Sequence, residues 1–261
     1  MSRDDEVVIK VRNVHKYFYA SKNKLEVLKN VNLDIRRKSF FTIVGPSGCG
    51  KTTLSLIIAG LISPSEGEIF IDNTKVKGPR PDKIAMVFQD PMLLPWRTVM
   101  GNVEFGLEIR GVPKKERKDI AQKYIDLVGL SKFEDYYPHQ ISGGMRHRAA
   151  IARALAVDPE ILLMDEPFAG LDEQSRLLLG MDLVRIWQKT GKTIVFITHS
   201  IQEASLLSTD IALFTRRPAT VKEVIKIDLQ HPRSLEDYNL VKIRKYIWDR
   251  VSEEISGEMI K

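Results

Sequence analysis

A glycine-rich segment, GPSGCGKT at residues 45–52, constrains this chain more than any other stretch of its sequence. It has the pattern G-x-x-x-x-G-K-[ST], in which glycines let the backbone wrap around phosphate groups without hindrance from a Cβ atom. An apolar run precedes the segment and a helix-compatible run follows it, which is the strand, loop and helix order that the pattern requires. The loop amides and the helix N-terminus would then face a phosphate anion.

The loop also predicts roles for individual side chains. Lys51 would reach the β- and γ-phosphates of a nucleotide, and the hydroxyl of Thr52 would bind Mg²⁺. The residues expected to surround the phosphates are Gly45, Pro46, Ser47, Gly48, Cys49, Gly50, Lys51, Thr52 and Thr53. Cys49 is the only cysteine, so no internal disulfide can form, and its place in this loop fits a reducing compartment.

The charge distribution favours a solvated surface over a nucleic-acid interface. The formal net charge is +6, but the lysines and arginines are scattered along the chain and interleaved with acidic residues. No basic block with interleaved aromatic residues occurs, and we therefore expect no nucleic-acid partner. No apolar stretch approaches the ~18–20 residues that a membrane-spanning helix needs.

The apolar pattern predicts an α/β fold in a single domain over residues 1–261. Alternating strands that would form an antiparallel layer are expected at 7–14, 31–35 and 68–71. Continuous apolar strands, typical of a parallel sheet, are expected at 39–44, 84–88, 161–164 and 193–197. Helices are expected at 99–110, 114–128 and 173–189. We therefore expect a core formed by 1–90 and 159–261, with a helical insertion at about 91–158.

The C-terminal tail is expected to contain a last strand at 220–229 and an amphipathic helix at 234–254. One face of that helix carries Leu240, Ile243, Ile247, Val251 and Ile255. Packing against the core explains this stripe more simply than binding to a partner does. The tail is too short for a separate regulatory domain of ordinary size.

Two carboxylates follow the apolar strand at 161–164, namely Asp165 and Glu166. In a phosphate-loop fold, the carboxyl end of such a strand lies beside the nucleotide. A phosphate-bound Mg²⁺ needs a carboxylate ligand, and hydrolysis needs a group that orients the attacking water. Asp165 suits the first role and Glu166 the second. The pair is a weak signal alone and becomes strong only together with the phosphate loop.

A second anion site is predicted at Ser142, Gly143 and Gly144, which open an alanine-rich helix. Ser142 is a natural N-cap, and the glycines leave the amides of the first turn bare at the positive end of the helix dipole. One domain does not need two such sites for one nucleotide. The economical interpretation is that the second site serves a nucleotide held by another copy of the chain.

With these motifs in order, the chain resembles the ATP-binding cassette (ABC) ATPases over essentially its whole length. The resemblance rests on the loop at 45–52, Gln89 after a strand, the Ser142-Gly143-Gly144 signature, Asp165-Glu166, Gly170-Leu171-Asp172, and His199 after the strand at 194–198. It implies a P-loop NTPase fold of the ABC type, with a RecA-like core, an antiparallel β layer and a helical insertion subdomain. A different phosphate-loop NTPase is the remaining alternative.

The resemblance implies a head-to-tail pair of cassettes that sandwiches two ATP·Mg²⁺ molecules. Ser142, Gly143 and Gly144 would contact the γ-phosphate bound by the partner chain, and Asp172 would link the two sites. The implied catalytic residues are Glu166, which would polarise the attacking water, with His199, Lys51 and Gln89 on the γ-phosphate. The implied Mg²⁺ ligands are Thr52, Gln89 and Asp165. Phe18 is expected to stack on the adenine, with Tyr17 as the alternative.

Three positions depart from the common family pattern. Met145 stands where the signature most often has glutamine, and His147 also replaces a frequent glutamine. Ala169 stands where a serine is usual, which removes at most one hydrogen bond at the interface. Because Ser142 and both glycines are present, hydrolysis is expected to survive these changes.

Among the kinds of cassette, a membrane importer subunit fits best. Chromosome and DNA-repair ATPases of this family carry a long coiled coil, and ribosomal factors usually carry two cassettes, whereas this chain has neither. A soluble ATPase of ribosome or iron–sulfur assembly remains the alternative. Residues 91–99, with Trp96, match the segment where importer cassettes receive a helix of the channel subunit, although core packing explains Trp96 equally well.

The importer interpretation brings further expectations. The run at 93–99, the Ser-Gly-Gly-Met signature and the tail from Arg216 resemble the nitrate, sulfonate and taurine import group. The expected partners are a second ATPase subunit, identical or not, the transmembrane permease subunits and, indirectly, a periplasmic or lipid-anchored solute-binding protein. The expected location is the cytoplasmic face of the cell membrane. The solute itself does not touch the cassette, so these residues do not name it.

Overall fold

The computed structural model describes residues 6–20 and 23–256, which fall into two compact units. Of the described residues, the first unit comprises 6–20, 23–80 and 192–256, and the second comprises 81–191. The predicted helical segment at about 91–158 lies wholly within the second unit. Among the described helices, none combines the length and the apolar composition that crossing a bilayer requires.

The first unit contains an antiparallel sheet of four strands in the order β2-β1-β4-β5. The strands are β1 (Val7–Ala20), β2 (Asn23–Arg36), β4 (Glu66–Ile71) and β5 (Thr74–Lys75). The antiparallel layer is as predicted, but β1 and β2 are far longer than expected. Several register shifts interrupt their pairing. Each shift breaks the alternation of apolar and polar residues, which hides the full strand length from a sequence pattern.

The same unit contains a second group of strands in which β3 lies between β8 and β9. Its elements are β3 (Phe40–Val44), α1 (Lys51–Ile58), β8 (Thr193–Thr198), α6 (Ile201–Leu207), β9 (Asp210–Phe214), β10 (Val221–Lys226) and α7 (Tyr238–Ser256). Strand β3 runs parallel to both neighbours, and every residue of β3, β8 and β9 is buried. Burial on both faces explains why these strands are continuous apolar runs. Strand β10 is antiparallel to β9.

The C-terminal helix α7 packs on this sheet through the predicted stripe. Leu240, Ile247 and Val251 are buried, and Ile243 packs against the same core cluster, so core packing is confirmed for these four residues. Ile255 lies outside the residues whose side chains are described. The helix begins at Tyr238 rather than at 234, because Asp237 accepts hydrogen bonds from the amides of residues 239 and 240.

The second unit consists of β6 (Ile84–Val87), α2 (Val99–Ile109), α3 (Lys114–Leu127), a 3₁₀ turn at Pro138–Gln140, α4 (Gly143–Ala156), β7 (Ile161–Asp165) and α5 (Glu173–Thr190). Strands β6 and β7 pair in parallel, and α2 packs against α3 and α4. The helix bounds agree with the predicted ones to within one residue. For α2, capping explains the agreement, since Thr98 accepts a hydrogen bond from the amide of Gly101 at the start of the helix.

A buried amide fixes the loop that precedes α2. The Asn102 side chain has no exposed surface, and its Nδ2 group donates to the carbonyls of Leu94, Arg97 and Thr98 at 3.0–3.1 Å. Its Oδ1 atom accepts from the amide of Leu94 at 2.7 Å. One side chain therefore satisfies four backbone groups of residues 94–98, which attaches this loop firmly to the helix.

We predict that His231 makes the stability of the protein fall as the solution becomes acidic. Burial, aided by the positive charge of Arg233, lowers the pKa of His231 from 6.5 to about 4. Between these two values the unfolded chain binds more protons, so the free energy of unfolding decreases as pH falls below 6.5. The neutral ring is held by a 3.1 Å hydrogen bond to the carbonyl of Leu207, which a glutamine amide can also make.

Urea denaturation of the wild type and of His231→Gln at pH 7 and pH 5 tests this prediction. The wild type should lose about 1–2 kcal/mol more than the variant on acidification. The matched control is His139→Gln, because His139 is exposed and its replacement should leave the wild-type pH dependence intact. Equal pH dependence in the wild type and His231→Gln would show that His231 is not the responsible group.

Candidate functional site

The phosphate loop of the first unit connects β3 to α1. At two of its glycines, the backbone lies very close to residues of neighbouring strands. Gly50 has φ of 125°, and a Cβ atom there would lie 2.9 Å from side-chain atoms of both Val27 and Leu28. A Cβ atom at Gly45 would lie 2.9 Å from Phe214. No other residue fits either position without moving its neighbours. The spacing of these glycines in the sequence is therefore a requirement of the loop conformation.

The phosphate loop folds around the ammonium group of Lys51. The residue is only 4% exposed, and its Nζ atom donates to the carbonyls of Gly45 at 2.9 Å and Pro46 at 3.0 Å. These bonds compensate a buried positive charge that would otherwise be costly. The loop therefore places one cation at its centre, where it can meet a phosphate group.

The start of α1 offers backbone donors beside this cation. Gly50 occupies the N-cap position, and no side chain caps the helix. Uncapped amides at the positive end of a helix dipole favour an anion. Thr52 is exposed at this helix start, whereas Cys49 is 2% exposed and fills space beneath the loop. The local geometry therefore matches the phosphate-binding arrangement that the motif predicts.

His199 is exposed immediately after β8 in a turn that three hydrogen bonds stabilise. Thr198 donates from Oγ1 to a carboxylate oxygen of Glu203 at 2.6 Å and accepts from the amide of Ser200 at 2.9 Å. Ser200 in turn accepts from the amide of Glu203 at 3.2 Å. The turn fixes the backbone on both sides of His199, so its side chain extends from a defined point.

The two aromatic candidates for adenine stacking differ in their surroundings. Phe18 is 43% exposed, and the ammonium group of Lys16 lies 5.1 Å from its ring centroid. Tyr17 donates to Glu66 at 3.2 Å, and the ammonium group of Lys24 lies 3.5 Å from its ring centroid. Because Lys24 already covers Tyr17, Phe18 is the better remaining candidate for stacking.

In the second unit, the carboxylate pair lies at the end of β7. Asp165 is the last residue of the strand and is 6% exposed. Glu166 has φ of 44°, a left-handed conformation that is unfavourable for a residue with a long side chain. Local strain of this kind tends to persist where it orients a functional group. Asp72, directly after β4, has a similar φ of 48°, so the conformation supports a role for Glu166 only together with its place beside Asp165.

A cavity of about 660 Å³ in the second unit brings several predicted residues together. Its walls include Gln89, Asp165 and Gly143, together with Asp90, Arg146, His147 and Leu171. The first three are predicted site residues. The other four have no predicted role. Asp90 and Arg146 only flank motifs, Leu171 is the middle residue of the Gly170-Leu171-Asp172 motif, and His147 is predicted only as a departure from the family pattern.

His147 is the most unusual group of this cavity. It is 5% exposed, and its Nδ1 atom has no hydrogen-bond partner among the described residues. Burial lowers the pKa of His147 from its ordinary value, and the adjacent charge of Arg146 lowers it further. The ring therefore resists protonation, and it contributes a neutral side chain at a position where glutamine is frequent in the family.

The signature turn of the second unit is built as predicted. Ser142 caps α4 by accepting a hydrogen bond from the amide of Met145 at 3.3 Å. A Cβ atom at Gly143 or Gly144 would make only ordinary contacts, at 3.5 Å to Leu171 and 3.9 Å to Leu179. Packing within this chain therefore does not require glycine at either position, although glycine lowers helix stability by up to about 1 kcal/mol relative to alanine.

Asp172 has a clear local function. It caps α5 by accepting a hydrogen bond from the amide of Ser175 at 2.9 Å. Hydrogen bonds from Ser175 lower the pKa of this carboxyl, so it stays ionised at neutral pH. The helix cap alone explains the residue type, and an additional role at an interface remains a prediction.

Trp96 and Met92 are prominent on the surface of the second unit. Trp96 is 71% exposed, so the interpretation that it packs in the core is wrong. Arg153 donates from its guanidinium group to the carbonyls of Pro91 at 2.7 Å and Met92 at 2.6 Å. Together with the Asn102 contacts, these bonds fix both ends of the loop that exposes Trp96.

Comparison with known proteins agrees with this geometry. The family model described as ABC transporter matches residues 28–169. An ABC transporter ATP-binding protein of Methanocaldococcus jannaschii is 50% identical over 263 residues, covering 98% of each chain. A nitrate import ATP-binding protein of Synechocystis sp. is 41% identical over 250 residues, covering 95% of this chain and 94% of its own. A taurine import ATP-binding protein of Yersinia pestis is 47% identical over 201 residues, covering 77% and 78%.

Solved structures give the same result. A dimeric ATP-binding cassette in a post-hydrolysis state, bound to ADP and Pi, superposes with a TM-score of 0.75 at 34% identity. The match covers 87% of this chain and 100% of that one. The chain therefore belongs to the ABC transporter family and is an ATP-binding cassette ATPase. The predicted fold class and enzyme class are confirmed.

Proposed function

We propose that this protein is the ATP-hydrolysing subunit of a membrane importer. The observation that carries the proposal is similarity, over three quarters or more of each chain, to ATP-binding proteins named for nitrate and taurine import. The solute is proposed to be a small anion or related organic nutrient of the nitrate, sulfonate or taurine type. The proposed location is the cytoplasmic face of the membrane, beside separate permease subunits and indirectly served by a solute-binding protein.

In this proposal the nucleotide is ATP with Mg²⁺. The Lys51 ammonium group and the uncapped amides at the start of α1 bind the β- and γ-phosphates. Thr52, Gln89 and Asp165 are the proposed Mg²⁺ ligands. Within the described residues, no group of three or more His, Cys, Asp or Glu side chains could hold a metal ion. This suits Mg²⁺, which commonly binds through one or two carboxylates and the phosphates of its substrate.

Hydrolysis is proposed to proceed by in-line attack of water on the γ-phosphate. Glu166, held in its left-handed conformation at the end of β7, orients and polarises the water. Gln89 and His199 contact the γ-phosphate, and Phe18 stacks on the adenine. Catalysis of this type depends on positioning and charge neutralisation, so each organising group contributes a large factor.

The nucleotide is proposed to lie between two copies arranged head to tail. Ser142, Gly143 and Gly144 would contact the γ-phosphate held by the partner, and Asp172 would link the two sites. Packing within this chain does not require glycine at positions 143 and 144. Glycine there supports this arrangement, because it allows close approach by a group that does not belong to this chain. The dimeric cassette with ADP and Pi shows that a structural relative assembles as a pair.

The loop around Trp96 is proposed to receive a short helix of a permease subunit. An exposed tryptophan on a firmly attached loop is a good anchor for a partner, because little conformational freedom is lost on binding. Closure of the two cassettes would then move the permease through this contact.

We predict that Glu166→Gln retains ATP binding and lowers turnover by at least about 100-fold, because the amide cannot polarise the water. The variant should also accumulate as an ATP-bound dimer in size-exclusion chromatography with light scattering. Glu173→Gln is the matched control, since Glu173 is exposed on α5 and lies outside the proposed site. Turnover close to wild type in Glu166→Gln would refute the role of this carboxylate.

A mixed dimer tests the head-to-tail arrangement. One chain carries Ser142→Arg and the other carries Lys51→Ala, so each homodimer should be inactive. In the mixed pair, the intact loop of the first chain faces the intact signature of the second, and one competent site is expected. Differently tagged chains, purified as the heterodimer, should trap one ATP per pair. Loss of all nucleotide trapping would contradict the arrangement.

We predict that Trp96→Asp separates ATP hydrolysis from transport. The purified variant should hydrolyse ATP at the rate of the isolated wild type, because the side chain is exposed and outside the nucleotide site. It should no longer co-purify with its permease from native membranes, and solute uptake should fall to the background level. The exposed tyrosine of α7 provides the control variant Tyr238→Asp. Normal uptake by Trp96→Asp would count against the importer contact.

A further inference from the structure

A cavity in the first unit lies between α6 and α7, outside the phosphate loop. Its volume is about 450 Å³, within the range of roughly 300–1,000 Å³ that is usual for small-molecule sites. The α6–α7 pocket, as we call it, is lined by Ile201, Gln202, Val241, Arg244, Lys245 and Trp248. His199, from the hydrogen-bonded turn after β8, also lines it.

The pocket carries two cations that the rest of the described chain leaves uncompensated. Arg244 is half-buried and Lys245 is exposed, and neither forms an ion pair or a hydrogen bond with any described residue. Lys222 of β10, by contrast, forms ion pairs with Glu253 at 2.7 Å and Glu254 at 2.9 Å. A half-buried guanidinium without a partner favours a planar oxyanion, such as a carboxylate or a sulfonate, which it can bind through two hydrogen bonds.

The other walls are apolar and partly exposed. Trp248 is 59% exposed and Val241 is 38% exposed, while Ile201 packs on its inner side against the core cluster. A hydrated inorganic anion would gain nothing from these walls. An anion with a flat or branched apolar body would bury them and could stack on the indole ring. The combination of apolar walls and unpaired cations defines the class of ligand.

We propose that the α6–α7 pocket binds a small organic anion that has an apolar body and a carboxylate or sulfonate head group. The head group pairs with Arg244 and Lys245, and the body lies against Val241 and Trp248. The side-chain amide of Gln202 supplies a further hydrogen-bonding group at the wall.

Binding there would also affect hydrolysis through His199, a consequence that rests on the proposed function. A negative charge beside His199 repels the γ-phosphate that this residue is proposed to contact. The ligand would therefore weaken the productive binding of ATP and raise its KM. The pocket thus provides a means by which a cytoplasmic organic anion inhibits the ATPase.

Isothermal titration calorimetry with 1-naphthalenesulfonate, in the absence of nucleotide, tests the pocket itself. We expect one saturable site with a Kd below about 1 mM. The double variant Arg244→Ala/Lys245→Ala should weaken binding at least about tenfold, because both head-group partners are removed. The matched control is Lys242→Ala, which removes an exposed cation of the same helix that does not line the pocket.

Two further titrations establish the ligand class. Sodium sulfate at the same concentration should not displace the probe, since it lacks an apolar body, and 1-naphthalenemethanol should bind more weakly, since it lacks the charge. Trp248→Ala provides a second pocket variant should the double variant fold poorly, which thermal melting would reveal. Equal affinity in the wild type and the pocket variants, or no saturable binding up to about 5 mM, would overturn the proposal.

An ATPase assay distinguishes ligand binding at the pocket from its proposed effect on the KM for ATP. With saturating probe, the KM for ATP should rise several-fold in the wild type and stay unchanged in the double variant. Binding without any change in KM would refute the coupling through His199 and leave the pocket supported. Because the calorimetry needs no ATP, failure of the pocket is distinguishable from failure of the proposed function.

Discussion

The nucleotide chemistry depends on the hydrogen bonds that hold the buried ammonium group of Lys51 in the phosphate loop. Two loop carbonyls hold it at 2.9 and 3.0 Å, and the side chain is almost completely removed from solvent. A buried cation satisfied only by neutral carbonyls still favours an anion, so the loop is prepared for phosphate before any ligand arrives. The glycines at 45 and 50 make this possible, because any Cβ atom there would collide with the supporting strands.

The reason for glycine at the signature turn differs from the reason for glycine in the phosphate loop. At Gly45 and Gly50 the chain itself requires the absence of a side chain, whereas at Gly143 and Gly144 it does not. The first pair is explained by one chain, and the second pair is best explained by something outside it. This contrast supports the proposal that two copies complete each nucleotide site, and it comes from the packing of this chain rather than from its similarity to other proteins.

The local parts of the structure were the ones that the sequence could predict. The glycine loop, the Ser142 cap and the buried strands are determined by residues within a few positions of one another. Features that depend on distant contacts were predicted poorly. The full extent of β1 and β2 follows from pairing with repeated register shifts, and the sequence pattern does not record such shifts. The predicted start of α7 at 234 is also wrong, because Asp237 rather than a preceding residue caps the helix.

The candidate site shows the same division. The surroundings of Trp96 and His147 could not be predicted at all. Exposure of the first and burial of the second follow from how α2 and α4 pack, and a single residue type is compatible with either outcome.

The contacts of Asn102 have a mechanical consequence. One buried amide donates three hydrogen bonds to the 94–98 loop and accepts a fourth from it, which joins this loop and α2 into a stiff body. A push on the tip of that loop is then delivered to the whole helix instead of being absorbed by local bending. Replacing Asn102 by alanine would remove all four bonds, and the loop could then bend independently of α2.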